Sequence, residues 1–321
     1  MKAAVYYETG GPEVFRYEDV ADPLCSPGFV LVRVEAISIE GGDTLNRTGG
    51  AMTGTPHIVG YQCAGTIVEV GEGVEDRHVG QRVVATMLSG SHAELVAVPT
   101  IVTWPLPDDA DVVSLACVPV AFGTAHDCLF EFGHLTEGET VLIQAGASGV
   151  GVAAIQLAKQ AGATVLATAS SLDRLERLRP LGLDQGIDYS APDWVKAVRA
   201  ATSGGRGVDL VVDSIGGPTL AGSVSSLAHR GRAITVGNAG RDPQPLDVSL
   251  LGLGNCSLTG VFLGGEIVTE RVHEMIGDLI DDVASGRLQV LVDRTFPLSE
   301  AADAHAFIES RQAVGRVVLI P

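Results

Sequence analysis

Between Thr140 and Gly162 the chain passes from a short apolar run, TVLIQA (140–145), straight into Gly146-Ala147-Ser148-Gly149-Val150-Gly151. It then enters VAAIQLAKQAG, whose alternating small and aliphatic residues suit a buried helix. The glycines read in two registers, Gly146-x-Ser148-x-x-Gly151 and Gly149-x-Gly151-x-x-Ala154, and both give the same chemistry. The first glycine permits a tight turn, a small middle residue lets backbone N–H groups approach an anion, and the last lets helix pack on strand. The helix N-terminus adds positive potential. Gly146, Ala147, Ser148, Gly149 and Val150 are thus candidates to cradle a pyrophosphate. A tight turn without a ligand shares this glycine pattern, and the strand that follows separates the two readings.

That strand is TVLATA (164–169), and Ser170 stands at its end, 19 residues beyond Gly151. A dinucleotide site of the NAD type places an acid about 20 residues on, to grip the ribose 2′-hydroxyl. Here Ser170, Ser171 and Arg174 offer hydroxyls and a cation, which suit a 2′-phosphate. The expected cofactor is NADPH. A second reading has Ser171 capping the next helix, Asp173 in its first turn and Arg174 in solvent.

The elements around this turn fall into two textures. Up to about residue 100 the apolar runs are short, β-branched and punctuated by glycine or proline, an all-β pattern. From about Ala110 helical stretches alternate with buried strands. A helix is expected near Asp111–Cys117 and another over Ala121–Phe132. Strands are expected at 140–145, 164–169, 208–213, 232–237 and 258–263, with helices at 150–161, 172–179, 193–202 and 218–228 between them. That alternation predicts a doubly wound parallel sheet. Beyond it lie helices near 269–285 and 299–310 and a last strand, GRVVLIP, which fit neither texture.

Composition narrows the function classes. At 321 residues the chain has room for about two domains. Its 40 glycines imply many tight turns or close backbone approaches. With 21 basic against 39 acidic residues, a net charge of -18, the whole-molecule field opposes nucleic acid and anionic membrane. Any phosphate must therefore be held by a local site. The five cysteines are scattered without a C-x-x-C pair, which predicts a reduced, cytoplasmic protein. The first residues, MKAAVYYETGG, lack the apolar segment of about 7 to 15 residues that a secretory signal needs. The most apolar window, Val141–Ala158, contains Gln144, Ser148, Gln156 and several glycines, so no membrane span is expected.

Several stretches together resemble one family: TGGPEVFRYEDV, VLVRVEAISIEGGDTLNRTG, GEGVEDRHVGQRV, LACVPVAFGTAHDCL, GETVLIQAGASGVGVAAIQLAK, GRGVDLVVDSIGG, GRAITVGNAG and ESRQAVGRVVLIP. In order and spacing they are similar to the quinone oxidoreductase (zeta-crystallin-like) branch of the zinc-independent medium-chain dehydrogenases/reductases. The most specific matches are Gly138-Glu139, Leu142, Gly149-x-Gly151, Gln156 and Lys159, while Gly146 and Ser148 stand where the family more often has Ala and Gly. The resemblance implies an α/β chain with a GroES-like β-rich catalytic domain (1–118 and 264–321) and an inserted Rossmann-type domain (119–263). It further implies that Ser170, Arg174 and Tyr189 surround the adenosine 2′-phosphate. Thr124, Asn238 and Phe262 would lie at the nicotinamide end, and Arg311 would approach the cofactor from the C-terminal segment. For Tyr189 and Phe262 the alternative is plain core packing.

Zinc-containing cousins hold their metal with a Cys, a G-H-E segment and a further ligand. This chain has Glu40 at the Cys position and Gly60-Tyr61-Gln62 for G-H-E, and it lacks the four-cysteine lobe, so no metal is expected. The histidines, including His57 and His126, form no H-x-x-x-H pair and read as structural. Metal-free relatives reduce quinones or activated C=C bonds by direct hydride delivery, which requires orientation of two π-systems. Tyr61 is then a candidate donor to the developing oxyanion, or a packing residue. Glu40 is either a proton relay or the ion-pair partner of Arg47. Leu45 replaces a tyrosine common in the family. The leading expectation is an NADPH-dependent reductase of quinones or enones, taking a small-molecule substrate and forming a homodimer through the edge strand 258–263. Two rivals remain open: an enoyl-thioester (polyketide-type) reductase, which would need a basic rim, and a crystallin-like protein that binds NADPH without turnover.

Overall fold

The computed structural model describes all 321 residues, and the chain divides into two units: Met1–Val120 with Glu266–Pro321, and Ala121–Gly265. The first unit begins with β1 (Lys2–Tyr6), β2 (Arg16–Asp19) and β3 (Phe29–Ser38). It continues through α1 (Gly41–Gly49), β4 (His57–Ile58), β5 (Gln62–Val70), β6 (Arg82–Thr86), β7 (Leu95–Pro99), β8 (Thr103–Pro105) and α2 (Val112–Leu115). β7 shows the expected alternation, with Val96 and Val98 inward and their neighbours half-buried. The all-β expectation for this stretch needs one correction. α1 is a nine-residue helix whose buried side chains, Asp43, Thr44 and Arg47, are polar, so no apolar period announces it.

α3 (Val118–His126) leads into the second unit, and the helical run expected to Phe132 gives way at Asp127 to a π-helical turn, Asp127–Glu131. The strands there are β9 (Thr140–Ile143), β10 (Thr164–Ala169), β11 (Gln185–Asp188), β12 (Val208–Asp213), β13 (Leu227–Thr235) and β14 (Ser257–Gly260). Between them run α4 (Gly149–Gln160), α5 (Leu172–Glu176), α6 (Trp194–Ala200), α7 (Gly217–Ser225) and α8 (Ser249–Gly254). All five pairings are parallel and the order is β11-β10-β9-β12-β13-β14. Numbered within the unit this is 3-2-1-4-5-6, the doubly wound order that binds dinucleotides at the carboxyl ends of its strands. β14 stops at Gly260, short of the strand expected to residue 263, and Phe262 lies beyond it.

The chain then returns to the first unit through α9 (Glu270–Ala284), β15 (Val292–Pro297), α10 (Ala301–Glu309) and β16 (Arg316–Ile320). α9 buries Val272, Met275, Ile276, Leu279 and Ile280, a stripe at i, i+3, i+4, i+7 and i+8, and Thr269 caps its N-terminus. β16 pairs antiparallel with β3 (Val318 opposite Ser38) and parallel with β15. Leu298, Ala301, Ala304, Val317 and Leu319 share one core with Val30, Val32, Ile37, Cys63 and Ile67. The sheet of this unit runs β15-β16-β3-β5-β6-β8, with β7 also on β3, and β2-β1-β4 form a second, smaller sheet.

That core also encloses a pair of imidazoles. His92 Nε2 and His305 Nε2 lie 3.0 Å apart, both fully buried, with Phe15 packed against both rings. One Nε2 must carry a hydrogen and the other a lone pair, so at least one ring of the pair is neutral. Burial pushes His92 down to about 3, and burial, His92 and Arg47 together hold His305 well below the ordinary histidine value. In the unfolded chain both protonate near 6.5. The unfolded state therefore binds more protons below that pH, and folding stability falls as pH drops through 6.5 towards 3. Thermal melts from pH 8 to pH 5 should show this fall, and His305→Gln should flatten it. Equal slopes for the two proteins would place the titration elsewhere.

Candidate functional site

The glycine turn is built by the strand before it and the helix after it. Ala145 takes a left-handed conformation, φ 50°, which costs a residue with a Cβ about 1–2 kcal/mol. Gly146 N–H donates to Thr168 O at 2.8 Å and Ser148 N–H to Ala145 O at 2.9 Å, and these bonds hold the turn against that strain. A Cβ on Gly151 would come within 2.4 Å of Ala145 O, so only glycine lets α4 start this close to the strand. Ser148 is the N-cap, its Oγ accepting the Gly151 N–H at 3.1 Å. An α-helix has no internal acceptor for its first N–H groups. With that of Gly151 taken by Ser148, those of Gly149 and Val150 remain for a ligand at the positive end of a twelve-residue helix.

At the next strand end, Arg174 Nη1 donates to Ser170 Oγ at 3.0 Å. Ser171 occupies the N-cap position of α5, but its side chain makes no capping bond, which removes the reading of Ser171 as a side-chain helix cap. Ala169 is in register with Asp188 across β10 and β11, and Tyr189 N–H donates to Ala169 O at 3.1 Å. Ser170, Arg174 and Tyr189 are thereby brought together at the carboxyl ends of two neighbouring strands. Tyr189 is half-buried and Phe262 is 80% exposed, so Phe262 is not a core aromatic. Thr124 is buried on α3. Asn238 is exposed, its amide donating to Asp242 O at 3.2 Å. Arg311, in the other unit, follows α10 in the left-handed conformation, φ 59°, with its side chain exposed.

In the first unit Glu40 and Tyr61 lie at one end of α1. Glu40 is the N-cap of α1, and its backbone N–H donates to Asp43 Oδ2 at 2.8 Å in a capping box. Its expected partner, Arg47, sits two helical turns away, about 10 Å along the axis. Arg47 instead pairs with Glu309 at 2.7 Å and donates to Gly10 O at 2.7 Å. The ion-pair partner of Glu40 is Arg316, on β16. Arg316 Nη2 also donates to Ser38 Oγ and, at 2.8 Å, to Ile39 O, while Gln62 Nε2 donates to Glu40 Oε1 at 2.5 Å. Gln62 Oε1 accepts the Val120 N–H at 3.1 Å. Burial pushes the Glu40 carboxyl upward and the Arg316 guanidinium pulls against it. Asp43, wholly buried with Oδ1 unpartnered, is held well above the usual carboxylate range by burial.

Tyr61 lies against the start of α1: a Cβ on Gly42 would be 2.5 Å from its hydroxyl oxygen, which accepts the Gly42 N–H. Burial, with Asp43 and Glu40 nearby, holds the phenol well above its ordinary value. Its own hydrogen is therefore retained at neutral pH and free to be donated. Leu45, one turn on from Gly42, is partly exposed, as is the loop after β6, where Leu88 is 99% exposed. Sequence reading missed Arg316 and Asp43. The Glu40-x-x-Asp43 spacing was a readable capping signal, whereas nothing local links Glu40 to a residue 276 positions away.

The chain matches the family model for the alcohol dehydrogenase GroES-like domain over residues 26–108 and that for zinc-binding dehydrogenase over residues 149–281. Fold and matches together define a medium-chain dehydrogenase/reductase, an oxidoreductase built to hold a nicotinamide dinucleotide. Within that superfamily the chain belongs to the zinc-independent, quinone oxidoreductase-like branch. It is 36% identical to the 2-haloacrylate reductase of Burkholderia sp over 331 aligned positions, covering 100% of this chain and 99% of that one. It is 33% identical to a quinone oxidoreductase of Pseudomonas aeruginosa, covering 97% of each. A solved mycobacterial structure complexed with NADPH superposes with a TM-score of 0.94 at 34% identity, covering all of both chains. Zinc does not suit the residues present here. Glu40 is committed to Arg316, Ser38 and Gln62, a phenol stands at position 61, and no three His, Cys, Asp or Glu side chains form a metal-holding group. No helix is long and apolar enough to cross a membrane.

Proposed function

We propose that this protein is an NADPH-dependent reductase that delivers hydride to quinones or α,β-unsaturated carbonyl compounds without a metal ion. The observation that carries the reading is the pairing of a glycine turn on a helix N-terminus with Arg174 and Ser170 at the end of the next strand, where no acid stands. The turn Gly146, Ala147, Ser148, Gly149 and Val150 cradles the diphosphate, which the open backbone N–H groups of Gly149 and Val150 bind. Ser170, Ser171, Arg174 and Tyr189 bind the 2′-phosphate. Thr124, Asn238 and Phe262 orient the nicotinamide ring, and Arg311 reaches the cofactor from the C-terminal segment. When bound, the nicotinamide supplies the hydride. Tyr61 donates a hydrogen bond to the acceptor oxygen as charge develops there, its geometry set by the Gly42 N–H. Glu40, locked to Arg316, shapes the start of α1 and takes no proton from the substrate. The bare edge of β14 pairs two copies into a homodimer.

Arg174→Ala tests the cofactor assignment. Loss of a bond to a charged phosphate should weaken NADPH binding by about 1.5–3 kcal/mol and leave NADH nearly unchanged. Titration of cofactor fluorescence measures both. Equal affinity of the unmodified protein for NADPH and NADH would remove the basis of the assignment.

A further inference from the structure

Four buried polar side chains form one directed hydrogen-bond chain across the carboxyl ends of the parallel sheet. Thr168 Oγ1, on β10, donates to Gln144 Oε1 at 2.5 Å. Gln144 Nε2, just past β9, donates to Ser223 Oγ at 3.0 Å. Ser223 Oγ, on α7, donates to Asp213 Oδ2 at 2.7 Å, the last residue of β12. Gln144 is 2% exposed and the other three are fully buried. The direction of the chain is fixed by chemistry. A carboxylate has no proton to give, so Ser223 must donate to it and receive the Gln144 amide N–H. The Gln144 carbonyl must then face the Thr168 hydroxyl. Each of the four side chains has a partner, and reversing any member would leave one of them unsatisfied in the interior.

The two ends of this chain meet the two turns that the cofactor reading uses. At one end Gln144 precedes Ala145 and Gly146, and the Thr168 carbonyl accepts the Gly146 N–H at 2.8 Å. At the other, Asp213 Oδ1 accepts the N–H groups of Ile215 and Gly216 at 2.8 and 2.9 Å. The turn so formed accepts from the Asn238 turn, Ala239 N–H to Ser214 O at 3.0 Å and Gly240 N–H to Ile215 O at 2.9 Å. A Cβ on Gly216 would lie 2.7 Å from Asn238 Oδ1, so the two turns are in close contact.

We infer that Thr168, Gln144, Ser223 and Asp213 are positioning residues that set the separation between the glycine turn and the Asn238 turn, and so the placement of a dinucleotide's diphosphate relative to its nicotinamide. The inference rests on the cofactor part of the proposed function and not on its substrate. Shifting one turn relative to the other misplaces the reacting carbon, and misplacements near 1 Å cost about a hundredfold in rate.

The test compares Thr168→Val, which keeps the shape and removes the first donor, with Thr168→Ser, which keeps the hydroxyl, and with Ser223→Ala. NADPH dissociation constants and kcat are measured well below each apo melting temperature. Thr168→Val and Ser223→Ala should raise the NADPH Kd about tenfold and lower kcat about tenfold to a hundredfold, and Thr168→Ser should recover most of both. An NADPH Kd and kcat within about twofold of the unmodified protein, with only the melting temperature lowered, would make the chain structural and overturn the inference. If Ser223→Ala does not fold, the two Thr168 variants decide. If no quinone or enone is reduced, the substrate reading fails, and the Kd values still decide this one.

Discussion

Replacing Arg316 by methionine is expected to lower folding stability by about 3–5 kcal/mol, the scale for stripping the partner from a buried charge. Arg316 and Glu40 are both nearly inaccessible, at 6% and 4% exposure, and no other cation is bonded to Glu40. The variant would also leave Ile39 O without the donor it has now. The sign of the pH effect follows from the bare carboxyl. With its counter-charge gone, the buried Glu40 has a folded pKa above its unfolded value, so the loss is greatest at neutral pH and shrinks as acid protonates it. Combining Arg316→Met with Glu40→Gln should recover much of the stability, because a neutral amide needs no counter-charge. Urea unfolding at pH 7.5 and pH 5 measures all three quantities. A loss below about 1 kcal/mol for the single variant would mean that Glu40 is already neutral in the native protein.

Tyr61→Phe is expected to lower kcat about tenfold to a thousandfold while leaving NADPH affinity unchanged. The substitution removes one hydroxyl from a ring that already packs on Gly42, and phenylalanine fills nearly the same volume. The effect should therefore fall on the bond made to the acceptor oxygen in the transition state and not on the fold. Single-turnover rates with a preloaded cofactor separate this from binding. A rate within about twofold of the unmodified protein would assign Tyr61 to packing and leave hydride transfer to orientation alone.

The parts of this fold that could be read in the residues are those where burial writes a period. TVLIQA and TVLATA are runs rich in β-branched residues, buried on both faces in β9 and beyond Thr164 in β10, and β10 has both ends as expected. α9 carries an apolar stripe and a threonine cap, and it lies within one residue of the helix expected at each end. α1 left no such mark, because its buried face is Asp43, Thr44 and Arg47, each meeting a partner from elsewhere in the chain or from the helix start. β11 (QGID) is a strand that the sequence did not lead us to expect: it is short and half polar, and β10 offers it a parallel ladder. The glycine turn between β9 and α4 was legible since its glycine pattern and flanking elements are contiguous. The Glu40–Arg316 pair was not, since only the antiparallel register of β16 on β3 places position 316 opposite the residues around 38. The Thr168–Gln144–Ser223–Asp213 chain is hidden for the same reason, its members being polar residues at the ends of elements that meet only after the sheet is assembled.

Cofactor absorbance, followed as the purified protein is offered a panel of quinones, neutral enones and enoyl thioesters with NADPH or NADH, decides whether it is an NADPH-dependent reductase of quinones or enones. NADPH should be consumed with at least one quinone or enone, NADH much more slowly at equal concentration, and neither rate should depend on added chelator. Tight NADPH binding with no consumption across the panel would contradict this reading in favour of a binding protein, and consumption with thioesters alone would contradict its substrate class.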